Sequence, residues 1–169
     1  MKILPFIVAT LLSLSGTLSA QATALPPALP DQFGATGALS DFPRAPVLVI
    51  VVSARRLRQV QRWEEALRSE LPGLLSMRVA DIDQQPQPQL DDVAGTLAKR
   101  APAGVPILID MDNEWARAFA LNTREPCLLL FDANRKLVTQ WRGRARAELV
   151  SAVIAGIQGL PSAGTSERG

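Results

Sequence analysis

Residues 47–52 (VLVIVV) are apolar without a break and rich in β-branched side chains, the pattern of a strand covered on both faces. Over residues 55–71 the period changes. Val60, Trp63, Leu67 and Leu71 recur at helical spacing, charged residues fill the other side, and Pro72-Gly73 stops the helix. Residues 74–82 (LLSMRVADI) read as a second strand and 83–89 (DQQPQPQ) as a loop. Leu90, Val93 and Leu97 predict a short helix, ended by APAGVP. A third strand follows over 106–110 (PILID). NEWARAFAL (113–121) predicts a helix with Asn113 as its cap. Residues 127–131 (CLLLF) form another buried strand, Asp132-Ala133-Asn134 a turn, and 136–141 the returning strand. Gly143 separates that strand from a last helix over 145–158. Alternating strands and helices that close with a hairpin and a helix imply an α/β fold with a mixed central sheet flanked by helices.

Both ends of the chain lack this pattern. Lys2, the apolar run 3–14 (ILPFIVATLLSL) and the small-x-small site Ala20-Gln21-Ala22 predict a signal peptide over 1–22. A membrane anchor is the alternative, but spanning needs about 20 mostly apolar residues, and Ser13, Ser15, Gly16, Thr17 and Ser19 interrupt this run. The expectation is therefore a periplasmic or secreted protein with no stable membrane insertion after cleavage. No cysteine follows the apolar run to carry a lipid. Residues 23–30 (TALPPALP) read as a Pro-rich linker, extended rather than packed, 31–160 as one domain, and 161–169 as a disordered tail.

Composition then excludes mechanisms. Cleavage leaves about 145 residues, enough for one core. Loss of Lys2 leaves 17 cations against 16 acids, a balance that argues against nucleic-acid binding. Histidine and tyrosine are absent, and Cys127 is the one cysteine. No intramolecular disulfide can form, and the commonest metal ligand and proton carrier is missing. No cofactor is expected. Asp81, Asp83, Asp110 and Asp112 lie near strand ends, but two separate pairs without EF-hand spacing do not make a metal site. Trp115 and Phe119, at i and i+4, are expected in the core.

Residues 29–60 (LPDQFGATGALSDFPRAPVLVIVVSARRLRQV) resemble the opening of a periplasmic thioredoxin-like or redoxin domain, of the TlpA-like or AhpC/TSA type. The resemblance returns at 105–143, through VPILID, NEWARAFAL, TREPCLLLFDANRKLV and WRG. It implies a thioredoxin-like fold, and the strand and helix between Leu74 and Leu97 fit the redoxin variety with its extra strand–helix insertion. The family delivers a Cys-x-x-Cys pair to a helix start, where the dipole and backbone N–H groups lower a thiol pKa. Here Arg56 and Gln59 stand at those positions, and 53–60 holds no thiol. The reaction itself is removed, and no catalytic residue is assigned.

Arg55, Arg56, Arg58 and Arg62 take the place of the thiols. One reading is a solvated basic turn, with Arg62 reaching Glu65 or Glu70. The other is a site where Arg55, Arg56 and Arg58, together with helix-start N–H groups, hold an anion or a partner. By the resemblance Pro126 corresponds to the family's cis-proline facing the missing cysteines. That places Glu125 beside the vacant site, within reach of Arg56. Family members hold extended peptide along this segment through backbone hydrogen bonds. Cys127 opens an apolar run and is expected to be an inert buried thiol. The sequence thus points to a redox-inactive, exported thioredoxin-like module that binds an envelope protein, a peptide or an anionic group through Arg55, Arg56, Arg58, Glu125 and Pro126. Its rivals are a thiol- or peroxide-handling protein using Cys127 with a partner's cysteine, and a structural subunit of an envelope complex.

Overall fold

The computed structural model describes residues 25–83 and 86–160. The expected signal peptide over 1–22, the first residues of the Pro-rich lead-in and the tail over 161–169 lie outside them. A small antiparallel hairpin, β1 (Leu29–Pro30) with β2 (Thr36–Gly37), comes first. Then follow β3 (Val47–Ser53), α1 (Arg58–Arg68), β4 (Leu75–Asp81), α2 (Leu90–Arg100) and β5 (Leu108–Asp110). The chain closes with α3 (Glu114–Ala118), β6 (Cys127–Phe131), β7 (Leu137–Arg142) and α4 (Ala147–Gln158).

The main sheet has the order β5-β4-β3-β6-β7. Strands β3, β4 and β5 are parallel, while β6 and β7 run antiparallel to their neighbours. β3 lies at the centre and is buried at every position, as an unbroken apolar run requires. Its odd-numbered residues Val47, Val49 and Val51 face a core built with Trp115, Phe119 and Phe131. Those three rings pack with centroids 5.7–6.4 Å apart in tilted and edge-on pairs. The even-numbered Leu48, Ile50 and Val52 face α1 through Val60, Trp63 and Leu67, and α4 through Val153. Each fully buried side chain of this size contributes about 1.5–3 kcal/mol.

Two consecutive parallel crossovers, β3–α1–β4 and β4–α2–β5, step the same way across the sheet. With right-handed connections, both helices must lie on one face. The packing agrees: Val93 and Leu97 of α2 cover Ala80 and Ile109, and Ala80 is the register partner of Val52. The groove between α1 and α2 is a consequence of topology.

Four local expectations differ from the structure. The lead-in is expected to stay unpacked, yet Leu29 is buried in the core, so packing begins before residue 31. The β1–β2 hairpin has strands too short to leave a periodic signal; the Asp31 carboxylate shapes its turn by accepting the N–H groups of Phe33 and Ala35. β5 starts at Leu108 rather than 106 because the Gln32 side chain already takes the Ile107 N–H, at 2.7 Å. Helix α3 keeps five residues, since Asn113 and Ala120 at its two ends adopt left-handed backbone angles. Asn113 makes no side-chain cap bond. Asp110 does that work instead.

Candidate functional site

β3 ends at Ser53, and a 3-10 turn over Ala54–Arg56 leads into α1. The strand end is tied on two sides. Ser53 N–H donates to the Thr123 carbonyl at 2.9 Å, and its hydroxyl donates to Asp83 Oδ1 at 2.9 Å. This is where the family pattern places its thiols. Arg56 is exposed there, while Gln59 is half-buried with an Oε1 that finds no hydrogen-bond partner among the described residues. Arg55 and Arg58 are exposed as well. Leu57 already has helical backbone angles and its carbonyl accepts the Val60 N–H. The expected cradle of free helix-start N–H groups is therefore partly used up, and side chains dominate the site.

The charges pair differently from expectation. Glu125 lies 3.9 Å from Arg142 on neighbouring β7, with both side chains more than half exposed; it does not pair with Arg56. Such a pair contributes about 0–1 kcal/mol. Arg62 pairs with neither Glu65 nor Glu70. The acid engaged on α1 is Glu64, whose Oε1 sits 2.5 Å from Arg78 Nε on β4. Arg55, Arg56, Arg58 and Arg62 join no ion pair among the described residues. They border one cavity of about 680 Å³, together with Lys99 and Arg100 from the last turn of α2. Glu125 and Pro126 do not border it. The five residues singled out from the sequence therefore fall into two places.

Lys99 and Arg100 escaped the sequence reading. Basic residues in a last helical turn complement the dipole, which accounts for them without any ligand. Only the shared face of α1 and α2 brings them opposite Arg58 and Arg62, and the connection rule applied to three parallel strands would have revealed it.

On the opposite face the carboxylates form structural ties. Asp81 Oδ1 accepts a hydrogen bond from Asn113 Nδ2 at 2.5 Å, and Oδ2 accepts one from the Thr123 hydroxyl. Asp110 Oδ1 and Oδ2 accept the backbone N–H groups of Glu114 and Trp115, at 2.8 and 2.9 Å. Burial pushes the Asp110 carboxyl above its usual range. Those two N–H bonds oppose the shift, and the nearby charges of Asp81 and Glu114 reinforce it. Asp112 is exposed. Among the described residues no three His, Cys, Asp or Glu side chains gather as metal ligands.

Pro126 is buried, and its carbonyl accepts the Gly143 N–H at 2.9 Å. Cys127 is 2% exposed, and its Sγ lies 3.5 Å from the carbonyls of Asn122 and Glu125. Burial raises its pKa above the ordinary thiol value. The Asn122 contact and Arg142 pull it down, while Glu125 and Asp81 push it up again. The thiol stays protonated near neutrality.

This architecture, a mixed five-stranded sheet with helices on both faces and a strand end leading into α1, is the thioredoxin-like fold. Solved structures agree. The chain is similar to the pneumococcal exposed lipoprotein thioredoxin from Streptococcus pneumoniae, with a TM-score of 0.60 and 16% identity over 76% of this chain and 97% of that one. A putative thiol:disulfide interchange protein DsbE from Chlorobium tepidum matches with a TM-score of 0.57 and 19% identity, over 79% and 91%. Peroxiredoxin Q from Xanthomonas campestris matches at 0.54 and 16%, over 79% and 94%. No protein-family model matches the chain, and no curated protein does. With one cysteine, the chain has the fold of thiol-active proteins without a Cys-x-x-Cys pair.

Proposed function

We propose that this protein is an exported, redox-inactive member of the thioredoxin-like group that works as a binding or accessory module for an anionic group. The observation that carries the reading is the exchange at the strand end: arginine and glutamine stand at positions 56 and 59, and the lone thiol is buried in β6. Disulfide exchange needs an accessible thiolate. Cys127 is protonated, buried and turned to backbone carbonyls. Export is supported by the signal-peptide pattern over 1–22 and by the exposed lipoprotein and interchange-protein neighbours.

An anionic group is favoured over an extended peptide along Glu125-Pro126. Two backbone groups that strand addition could use there are engaged already: Glu125 N–H meets the Asn122 carbonyl at 3.4 Å, and the Pro126 carbonyl holds Gly143. The guanidinium groups of Arg55, Arg56 and Arg58 join no ion pair among the described residues, which favours charge recognition instead. The test is insulin reduction and peroxide consumption by the purified protein beside Cys127→Ala. Background rates in both are expected; turnover that disappears in Cys127→Ala would sink the proposal.

A further inference from the structure

Among the described residues, seven cationic side chains border the groove of about 680 Å³, against a single acid, Glu64, which Arg78 already engages. The other six face one another without an opposing charge in the wall. Local chemistry explains only part of this. Lys99 and Arg100 sit favourably at the C-terminal end of α2, but Arg55, Arg56 and Arg58 stand at the start of α1, where the dipole repels cations. Six like charges around one hollow also repel each other. A fold tolerates such a local conflict most readily where function needs it.

We infer that the groove between the start of α1 and the end of α2 is a binding site for a small molecule carrying two or more adjacent phosphate or carboxylate groups. The inference rests on the binding-module reading and gives it a ligand class. Arg58 and Arg62 on one wall, with Lys99 and Arg100 on the other, grip neighbouring oxyanions from two sides, and the guanidinium forks hold them bidentately. The volume falls within the roughly 300–1,000 Å³ usual for small-molecule sites. Gln59 also lines this wall, and its buried Oε1 finds no hydrogen-bond partner among the described residues. Pro102 and Ile107 supply an apolar border for the rest of such a ligand. An extended peptide does not suit the groove. β4, which contributes Arg78, pairs with β3 along its whole length and with β5 over Val79–Asp81, and the groove is walled mainly by side chains of α1, its preceding turn and the end of α2 rather than by a strand edge.

Inorganic tripolyphosphate and citrate, titrated calorimetrically into the purified full chain at low and physiological salt, test this directly. The site predicts 1:1 saturable binding of one of them that weakens with salt, as exposed charges are screened beyond about 8 Å at physiological ionic strength. Preference for tripolyphosphate assigns phosphate as the source, and preference for citrate assigns carboxylate. Arg62→Gln/Arg100→Gln should weaken binding at least ~10-fold, a loss of about 1.4 kcal/mol. Arg144→Gln/Arg146→Gln, which removes the same charge outside the groove, should leave it unchanged. If the first pair fails to fold, Arg100→Gln alone, at an exposed helix end, carries the test. No saturable binding, or equal weakening in both pairs, overturns the site. Failure of the underlying reading looks different: it shows as insulin or peroxide turnover, whatever the titration gives.

Discussion

The hydroxyl of Thr123 donates to Asp81 Oδ2 across forty-two residues, joining the loop before β6 to the end of β4. Asn113 holds the other oxygen of the same carboxylate. One buried acid thus fastens the approaches to α3 and β6 against the parallel half of the sheet.

Thr123→Val should expose the weight of that tie. The change keeps shape but leaves a buried carboxylate with one partner fewer, at about 1–3 kcal/mol. Asp81→Asn should cost a similar amount, and the double variant less than the sum, because both act on one bond. Urea unfolding of the four proteins measures the coupling; strict additivity would show that the two side chains act independently.

Asp110 gives the stability a pH dependence whose sign can be worked out. Its folded pKa is raised, by burial first, above the ordinary value of 3.8. The protonated form is therefore favoured by folding. Its contribution is fully present below the unfolded pKa and is lost as pH rises through the raised folded value. Thermal melts run upward from pH 3.8 should show this loss, and Asp110→Asn should remove that part of the slope. Its absolute stability will drop, since the Glu114 and Trp115 N–H groups donate to different carboxylate oxygens and the amide puts an NH2 donor in place of one of them. An unchanged slope in Asp110→Asn would place the pH dependence elsewhere.

Cys127 should be slow towards thiol reagents in native buffer and fast in denaturant, because the thiolate is the reactive form and burial disfavours it. Cys127→Ala should destabilise by about 1 kcal/mol, the centre of the range for point mutations. Equal labelling rates in native buffer and denaturant would contradict the burial.

Much of this was legible in the residue pattern. Residues 127–131 form the strand their apolar run predicts, and Val60, Trp63 and Leu67 face the core as their spacing requires. What escaped depends on contacts distant in sequence. Gln32 reaches Ile107 over seventy-five positions and trims β5. Asn113 looks like a cap, yet its amide turns to Asp81 while Asp110 takes the helix-start donors. The candidate site divided for the same reason. Arg55, Arg56 and Arg58 were visible as a cluster, but their partners in the groove wall, Lys99 and Arg100, belong to another helix. Glu125 had a nearer cation in Arg142, supplied by pairing of β6 with β7 that charge spacing does not encode.

The arginine turn separates binding from stability. Arg55, Arg56 and Arg58 are exposed, join no ion pair among the described residues and precede or open α1. Replacing all three with Ala removes no buried contact, so the fold should survive. It should even melt slightly higher, because each cation at a helix start opposes the dipole by about 0.3–1 kcal/mol at low ionic strength. Tripolyphosphate or citrate binding should weaken in the same protein, since half of the six cations without an opposing acid in the groove wall are gone. Glu125→Gln is the matched control: it changes charge at the strand end but lies outside the groove, and should alter neither property by more than about 0.5 kcal/mol. A thermal melt beside the titration reads both. A triple variant that binds as tightly as wild type would confine recognition to Arg62, Lys99 and Arg100. One that unfolds would mean that the turn holds α1 in place, and its charges would then need a structural explanation.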